Sequence, residues 1–371
     1  MKSLGVILAG GNNHRLEKLT STSGRATAAM PIGGGYCAID FSLSNMTNSG
    51  IRKVAVMVQF NSGSLHNHLS SSKWWDLGRK KGGLFVYSPY LSGLESPFYR
   101  GTSNAMYQNI KFFLKSNEEY VVITSGDSIY KADFDDFLNY HIEKGNDITV
   151  AYKKAGGLDP RQFGVIELDD EENILDFEEK PLETSLDNIS LGIYAISRKL
   201  LIGLLETTNK EGRYDFVRDI VIRYRKVLKL GGYPFKGYWR SLGSIKAYYD
   251  TNMDFLSKDV RDYFTKEPPF IVTKPRDVPP AKYNNGAEAR GSLIGGGSIL
   301  NGYVENSVLF SNIYVGENTF IKNSIIMDKV HIGNNCVLEN TIIDKEVNIR
   351  DNTKIIGTVN QPAIVDKGKT I

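Results

Sequence analysis

Asp127 stands in SGDS (125–128), directly after the apolar run YVVIT. A carboxylate at the end of a strand can hold a divalent cation that bridges substrate phosphates. The same residue type also caps turns and helices, a role that Asp133 fits better. Nearer the N-terminus, GVILAGGNNHRL (5–16) runs a strand into Gly10-Gly11 and then reaches Arg15. A Gly-Gly turn lets backbone approach a polyphosphate, and a guanidinium a few residues on can clamp its oxygens at two points. Read alone, the turn is equally a structural punctuation and the arginine a solvated surface residue. A phosphate cradle ordinarily places another glycine next, whereas this chain has Asn12, Asn13 and His14, so obstruction of the loop is expected. Lys180 in FEEKP (177–181) offers a point charge to a monophosphate, or is an exposed turn lysine. FYRGTSNAMYQN (98–109) predicts a helix after Gly101, with Thr102 or Ser103 as cap and its first amides facing an anion. His14, His66, His68, His141 and His331 show neither metal-type nor triad-like spacing.

These residues need a scaffold that brings them together. Up to about residue 255, short β-branched runs such as SLGVILAG, KVAVMVQF, YVVITSGD and DITVAYK alternate with helical patterns such as NAMYQNIKFFLKS and DFDDFLNYHIEKG. This is the signature of βαβ units around a mostly parallel sheet, and in such sheets ligands bind at the carboxyl ends of the strands. Both Gly10-Gly11 and Asp127 fall at such ends, which predicts one shared cleft. Residues 266–282, KEPPFIVTKPRDVPPAK, hold five prolines in seventeen residues and read as an extended linker between a domain at 1–265 and another at 283–371.

Beyond the linker the chain repeats with a period of 17. Val304, Ile321, Leu338 and Ile355 form one series, Leu309, Ile326 and Ile343 a second, and Val315, Ile332 and Ile349 a third. Asn318, Asn335 and Asn352 recur in register, as do Asn306, Asn323 and Asn340, and asparagine tolerates the left-handed backbone of tight corners. A three-sided coil with stacked inward aliphatic columns follows, whose ends and flat faces favour association with other subunits.

The 371 residues suit two well-buried domains, and no apolar run approaches a membrane span. A cytoplasmic protein is expected, because the short N-terminal apolar run reads as a core strand. Forty-five basic and 42 acidic residues are spread along the chain, so no nucleic-acid footprint is present. Cys37 and Cys336 are far apart and predict neither a disulfide nor a zinc site.

In order along the chain, ILAGG, IDFSLSNMTNSGI, VQFNS, YRGTSNAMYQN, SGDSIYKADF, FGVIEL, FEEKP, LGIYAI and GYWRSLGSIKAYYDTNMDF resemble the sugar-1-phosphate nucleotidyltransferases, specifically the bacterial ADP-glucose pyrophosphorylase family. The resemblance implies a Rossmann-like α/β nucleotidyltransferase domain followed by a left-handed parallel β-helix of hexapeptide repeats. It implies attack of glucose-1-phosphate on the α-phosphate of ATP, giving ADP-glucose and pyrophosphate with Mg2+. It places Arg15 and Asp127 at the catalytic centre, with Asp127 on the metal. Gly10, Gly11, Gln59, Gly101, Thr102 and Gly126 fall around the nucleotide, and Tyr99, Gly164, Glu179, Lys180 and Ser190 around glucose-1-phosphate.

Four departures from the family pattern fall at the nucleotide end. Asn13 replaces a loop glycine, Thr27 a lysine, Ser241 the second metal-binding aspartate, and Asn104 another acid. Serine cannot supply a carboxylate charge to a hard cation. The pattern is similar to the D-type subunit of some Gram-positive bacteria, which implies a weakly active or inactive regulatory subunit in a mixed tetramer with a catalytic paralogue. An independently active nucleotidyltransferase and a stand-alone sugar-phosphate sensor or scaffold are the alternatives.

Overall fold

The computed structural model of the protein describes residues 2–79, 82–89 and 98–371. The strand Ser3–Ala9 is apolar on both faces, as a strand covered on both sides must be. It pairs in parallel with Lys53–Val58 on one side and Tyr120–Ser125 on the other, and Gly83–Tyr87 extends the parallel set. Beyond Tyr120–Ser125 the nine-stranded sheet changes direction. Asn188–Ser197 runs antiparallel to Tyr120–Ser125, to Ile148–Lys154 and to Gly164–Leu168, which is itself antiparallel to Ile174–Glu179. The expected parallel sheet is therefore present, with an antiparallel extension that the βαβ spacing did not announce.

Alternate residues of the central strands feed two cores. Ile7, Val54 and Val56 meet Ile39, Leu43, Leu65 and Phe134 of helices on one face. Leu4, Val6, Ala55 and Met57 meet Ala105, Met106, Leu201 and Leu205 on the other. Asp133 does cap the helix Phe134–Glu143, accepting from the amides of Asp135 and Asp136.

The C-terminal part forms three parallel sheets of five short strands each, a left-handed parallel β-helix. The three series of the 17-residue period are neighbours in register: Val304, Ile321, Leu338 and Ile355 in one column, Leu309, Ile326 and Ile343 in the next, Val315, Ile332 and Ile349 in the third. Each of the six corner asparagines has a positive φ, between 44° and 64°. Their side chains also form ladders, such as Asn306 to Asn323 at 2.6 Å. The third corner carries Asn312, Lys329 and Glu346, all at φ 61°, and escaped notice because its residue types vary.

The two parts meet across a large apolar junction. Met30, Ile32, Phe41, Tyr248, Phe255 and Phe264 pack against Val308, Phe310, Ile325, Met327 and Ile342 of the β-helix. At its centre Arg25 and Asp344 form an ion pair at 2.7 Å, with side chains 4% and 0% exposed. Residues 266–281 contain neither helix nor strand but are strapped down: Ser44 and the Trp75 indole both donate to the Val272 carbonyl at 3.1 Å, and Ile271 is buried.

Candidate active site

A cleft of about 910 Å³ opens at the carboxyl ends of the central strands. It is lined by Gly10, Gly11, Arg15, Gln59, Tyr99, Gly101, Thr102, Asp127, Gly164, Glu179, Lys180, Ser190 and Ser241. Residues from all along the α/β part thus converge on one space, as the strand-end argument expects.

At the end that the resemblance assigns to the nucleotide, the two loop glycines differ in their surroundings. A Cβ on Gly10 would press against Gln59, 3.2 Å from its Cβ and 3.3 Å from its amide nitrogen, while Gly11 has open space around it that a Cβ would fill. The Gln59 side chain ties the segment before the next helix, accepting from the Tyr99 amide at 2.6 Å. Arg15 is exposed on a single 3-10 turn, His14–Leu16. Gly126 is not a lining residue. A Cβ on it would lie 3.2 Å from side-chain atoms of Ile7, Ala9 and Ala28, so its place is in packing rather than at a ligand.

Asp127 is half-buried, and its Oδ1 accepts a short hydrogen bond from Ser125. Burial pushes its carboxyl up, opposed by that hydrogen bond and by the charge of Lys180. Such a carboxylate is under-compensated, a property that fits a cation neighbour. Ser241 pairs with Ser128 across an antiparallel pair of short strands, and the Leu242 amide donates to the Asp127 carbonyl at 3.1 Å. Asp127 is the carboxylate that would hold a divalent cation here, and Ser241 supplies no second one.

Three expectations for this end need correction. Asn13 lines the cleft, but its amide is engaged rather than free: Oδ1 accepts from the Arg15 amide at 3.0 Å, and Nδ2 donates to the carbonyls of Gly243 at 3.1 Å and Leu242 at 3.5 Å. The side chain instead ties the phosphate-type loop to the segment that carries Ser241. Asn104 is buried away from the cleft, donating to Asn209 Oδ1 at 3.0 Å and accepting from the Arg100 amide, so the missing acid there does not alter the lining. The helix Thr102–Gln108 does not offer its first amides to an anion either. Ser103 and Asn104 both donate to the Tyr214 carbonyl, at 2.8 and 3.2 Å, and Thr102 Oγ1 accepts from the Phe216 amide. Gly101 makes this approach possible, since a Cβ would lie 2.4 Å from the Tyr214 carbonyl oxygen.

Thr27 does line the cleft and is buried, while Arg25, two residues earlier, faces the β-helix. The position where the family pattern has a lysine therefore faces the expected place with an uncharged side chain.

The end that the resemblance assigns to the sugar phosphate is built on the antiparallel strands. A Cβ on Gly164 would meet the Phe177 ring at 2.8 Å and Glu179 Oε2 at 3.0 Å, so glycine leaves room for that carboxylate. Burial raises the Glu179 carboxyl, and Lys180, whose Nζ lies 3.5 Å from Oε1, opposes the rise. Lys180 holds a left-handed backbone at φ 52°, which turns Ile174–Glu179 sharply into the following loop. Ser190 sits where the strand Asn188–Ser197 loses register with its neighbour, which turns a buried hydroxyl toward the cleft. The Tyr99 hydroxyl accepts from Asn109 Nδ2 at 2.9 Å in the interior, which fixes the ring at the rim.

Two cationic lining residues, Arg100 and Arg218, escaped sequence reasoning. Arg100 donates to the Tyr214 hydroxyl at 2.8 Å, and Arg218 follows Asp215, whose Oδ1 caps the Arg218 amide at 2.8 Å. The signal for Arg218 was the acid three residues ahead of it in YDFVRD. Together with Arg15 and Lys180 they give the cleft four lysine or arginine side chains against the carboxylates Asp127, Glu179 and Asp215 among the described residues.

A strand-end cleft with a Gly-Gly turn at its entrance, three partly buried carboxylates and several cations, joined to a β-helix, is the arrangement of a nucleotidyltransferase with a hexapeptide-repeat domain. The family model described as nucleotidyl transferase matches residues 4–258, and one described as a GlmU-like C-terminal hexapeptide matches 279–362. The chain is similar to the glucose-1-phosphate adenylyltransferases of Fusobacterium nucleatum, at 39% identity over 85% of this chain and 83% of that protein, and of Geobacillus stearothermophilus, at 37% over 85% and 82%. That of Pseudothermotoga lettingae is 38% identical over 85% of this chain and 76% of its own. The chain belongs to the glucose-1-phosphate adenylyltransferase family.

Proposed function

We propose that this chain is a regulatory subunit of a glucose-1-phosphate adenylyltransferase, itself weakly active or inactive, which binds glucose-1-phosphate and modulates a catalytic paralogue in a mixed tetramer. The observation that carries the reading is Ser241. It lines the nucleotide end next to the strand that follows Asp127, where family members are expected to hold a second metal carboxylate. With Thr27 replacing a cation in the same cleft, both charges that would steady a nucleoside triphosphate during cleavage are missing from the lining. Loss of such groups lowers turnover by roughly 2 to 4 kcal/mol of barrier each. The sugar end keeps Tyr99, Gly164, Glu179, Lys180 and Ser190 around one space, which supports retained sugar-phosphate binding. Mg2+ at Asp127, when bound, would neutralise phosphate charge, while Gln59 holds the segment at Tyr99 and the exposed Arg15 adds a cation to the lining.

One observation favours a second reading, an enzyme active on its own. Arg100 and Arg218 add cations that the motif comparison overlooks.

The deciding experiment assays pyrophosphate release from ATP and glucose-1-phosphate by this chain alone, by a motif-complete paralogue alone, and by their mixture. The regulatory reading expects little release from this chain and a mixture that differs from the paralogue. A normal enzymatic rate from the single chain supports the second reading, and a mixture indistinguishable from the paralogue rules regulation out.

A further inference from the structure

Outside the cleft, Cys37, Asp40 and His68 come within reach of one another, although nothing in their spacing announced it. Cys37 is the N-cap of the eleven-residue helix Ala38–Asn48, and its sulfur accepts from the Asp40 amide while the Asp40 carboxylate accepts from the Cys37 amide at 2.8 Å. His68 reaches in from the helix Gly63–Leu69. Its Nδ1 lies 3.7 Å from Cys37 Sγ, and its Nε2 lies 2.5 Å from Asp40 Oδ1.

The sulfur and the carboxylate thus engage opposite nitrogens of one imidazole. A single metal ion cannot take all three groups without turning the ring, because one ring nitrogen always points away from it. The arrangement is instead that of a nucleophile, a base and a group that orients the base. Asp40 is fully buried, and burial of its charge calls for a cationic partner. Burial pulls the His68 imidazolium down, but its hydrogen bonds to Asp40 and Cys37 outweigh this and push its pKa up to about 10. The helix N-terminus adds a second positive influence on the sulfur. Tyr36, beside Cys37, stays a neutral phenol because burial, and then the Asp40 charge, raise its hydroxyl. Lys274, on the strapped connector, reaches the Asn67 carbonyl at 3.4 Å. Cys37 is partly exposed, whereas Cys336 is fully buried inside the β-helix with its thiol at 3.1 Å from the Arg350 carbonyl.

We propose that Cys37 is a reactive nucleophilic thiol that forms mixed disulfides with low-molecular-weight disulfides, with His68 as its cationic partner and Asp40 as the positioning residue for His68. The Cys37 thiolate attacks one sulfur of the small disulfide. The new S–S bond forms as the old one breaks, the departing thiolate takes the electron pair, and the proton of the Cys37 thiol rests on His68. A small thiol reverses the step.

The test reacts the full chain with dithiodipyridine across a pH series and locates the adduct by peptide mass mapping. At neutral pH, Cys37 should react faster than free cysteine, because the cationic His68 imidazole 3.7 Å away favours the attacking sulfur anion, and this advantage should fade as pH rises through the His68 value of about 10. Cys37→Ser should abolish the adduct and leave Cys336 unlabelled. His68→Gln should return the profile to that of a free thiol, a change that a merely structural histidine would not produce. A wild-type profile that rises with free cysteine, or an unlabelled Cys37 in a chain that labels once unfolded, overturns the proposal. That wild-type comparison decides the matter even where His68→Gln fails to fold.

Discussion

The two ends of the cleft are built on different halves of one sheet. The nucleotide end rests on parallel strands whose ends open into loops, so its geometry depends on where loop side chains find partners. The sugar end rests on antiparallel strands, where a glycine, a register shift and a left-handed lysine place Glu179 and Ser190 from backbone geometry. The difference teaches that the end whose chemistry departs most from the family pattern is also the end held by side-chain ties, such as Asn13 to the 242–243 carbonyls.

The largest expected effect restores charge at the nucleotide end. Thr27→Lys with Ser241→Asp should raise pyrophosphate release by roughly three to six orders of magnitude, at about 2 to 4 kcal/mol for each of the two groups. An unchanged rate with the fold intact would break the contrast between the ends. A smaller effect is expected at the sugar end, where Glu179→Gln should weaken glucose-1-phosphate binding by roughly tenfold to a hundredfold while leaving ATP binding unmoved, as hydrogen bonds to charged groups contribute about 1.5 to 3 kcal/mol. Calorimetric titration with each ligand separates the two; equal loss for both would mean that the ends do not act separately.

Asn13→Gly should release the loop from the 242–243 segment and change ATP affinity by no more than about tenfold, the value of one or two ordinary hydrogen bonds. Equilibrium binding measures it, and a far larger change would show that the tie itself shapes the nucleotide end. The smallest effect concerns Asp127. Its carboxyl is raised in the fold, so the ionised form opposes stability at neutral pH, and this penalty fades as pH falls through the raised value. A bound cation favours the ionised form. Mg2+ should therefore raise the melting temperature more at pH 7 than at pH 5, and Asp127→Asn should remove the difference; a Mg2+ shift that ignores pH or survives the substitution would place the ion elsewhere.

Much of the fold was readable because it is encoded by neighbours along the chain. Apolar runs and a 17-residue period report burial and corner sterics, which act over a few residues; the asparagine corners adopted the backbone their type favours, and the columns stacked in the expected register. The third corner, with Lys329 and Glu346, stayed hidden because the surrounding coil imposes that backbone on residues that do not ask for it. Gly10, Gly11 and Asp127 were legible for the same reason, since strand ends are local features, whereas Gln59, Tyr99, Gly164, Glu179 and Ser190 came only from the family resemblance.

The partners of polar side chains were not legible. Arg25 meets Asp344 across 319 residues, Asn13 meets Gly243 across 230, and Cys37 meets His68 across 31. A polar group buried by folding must find a complement somewhere, but which one it finds depends on how distant segments close on each other. Local sterics and periodic burial are written in consecutive residues; electrostatic and hydrogen-bond pairing is settled only when the chain is folded around it.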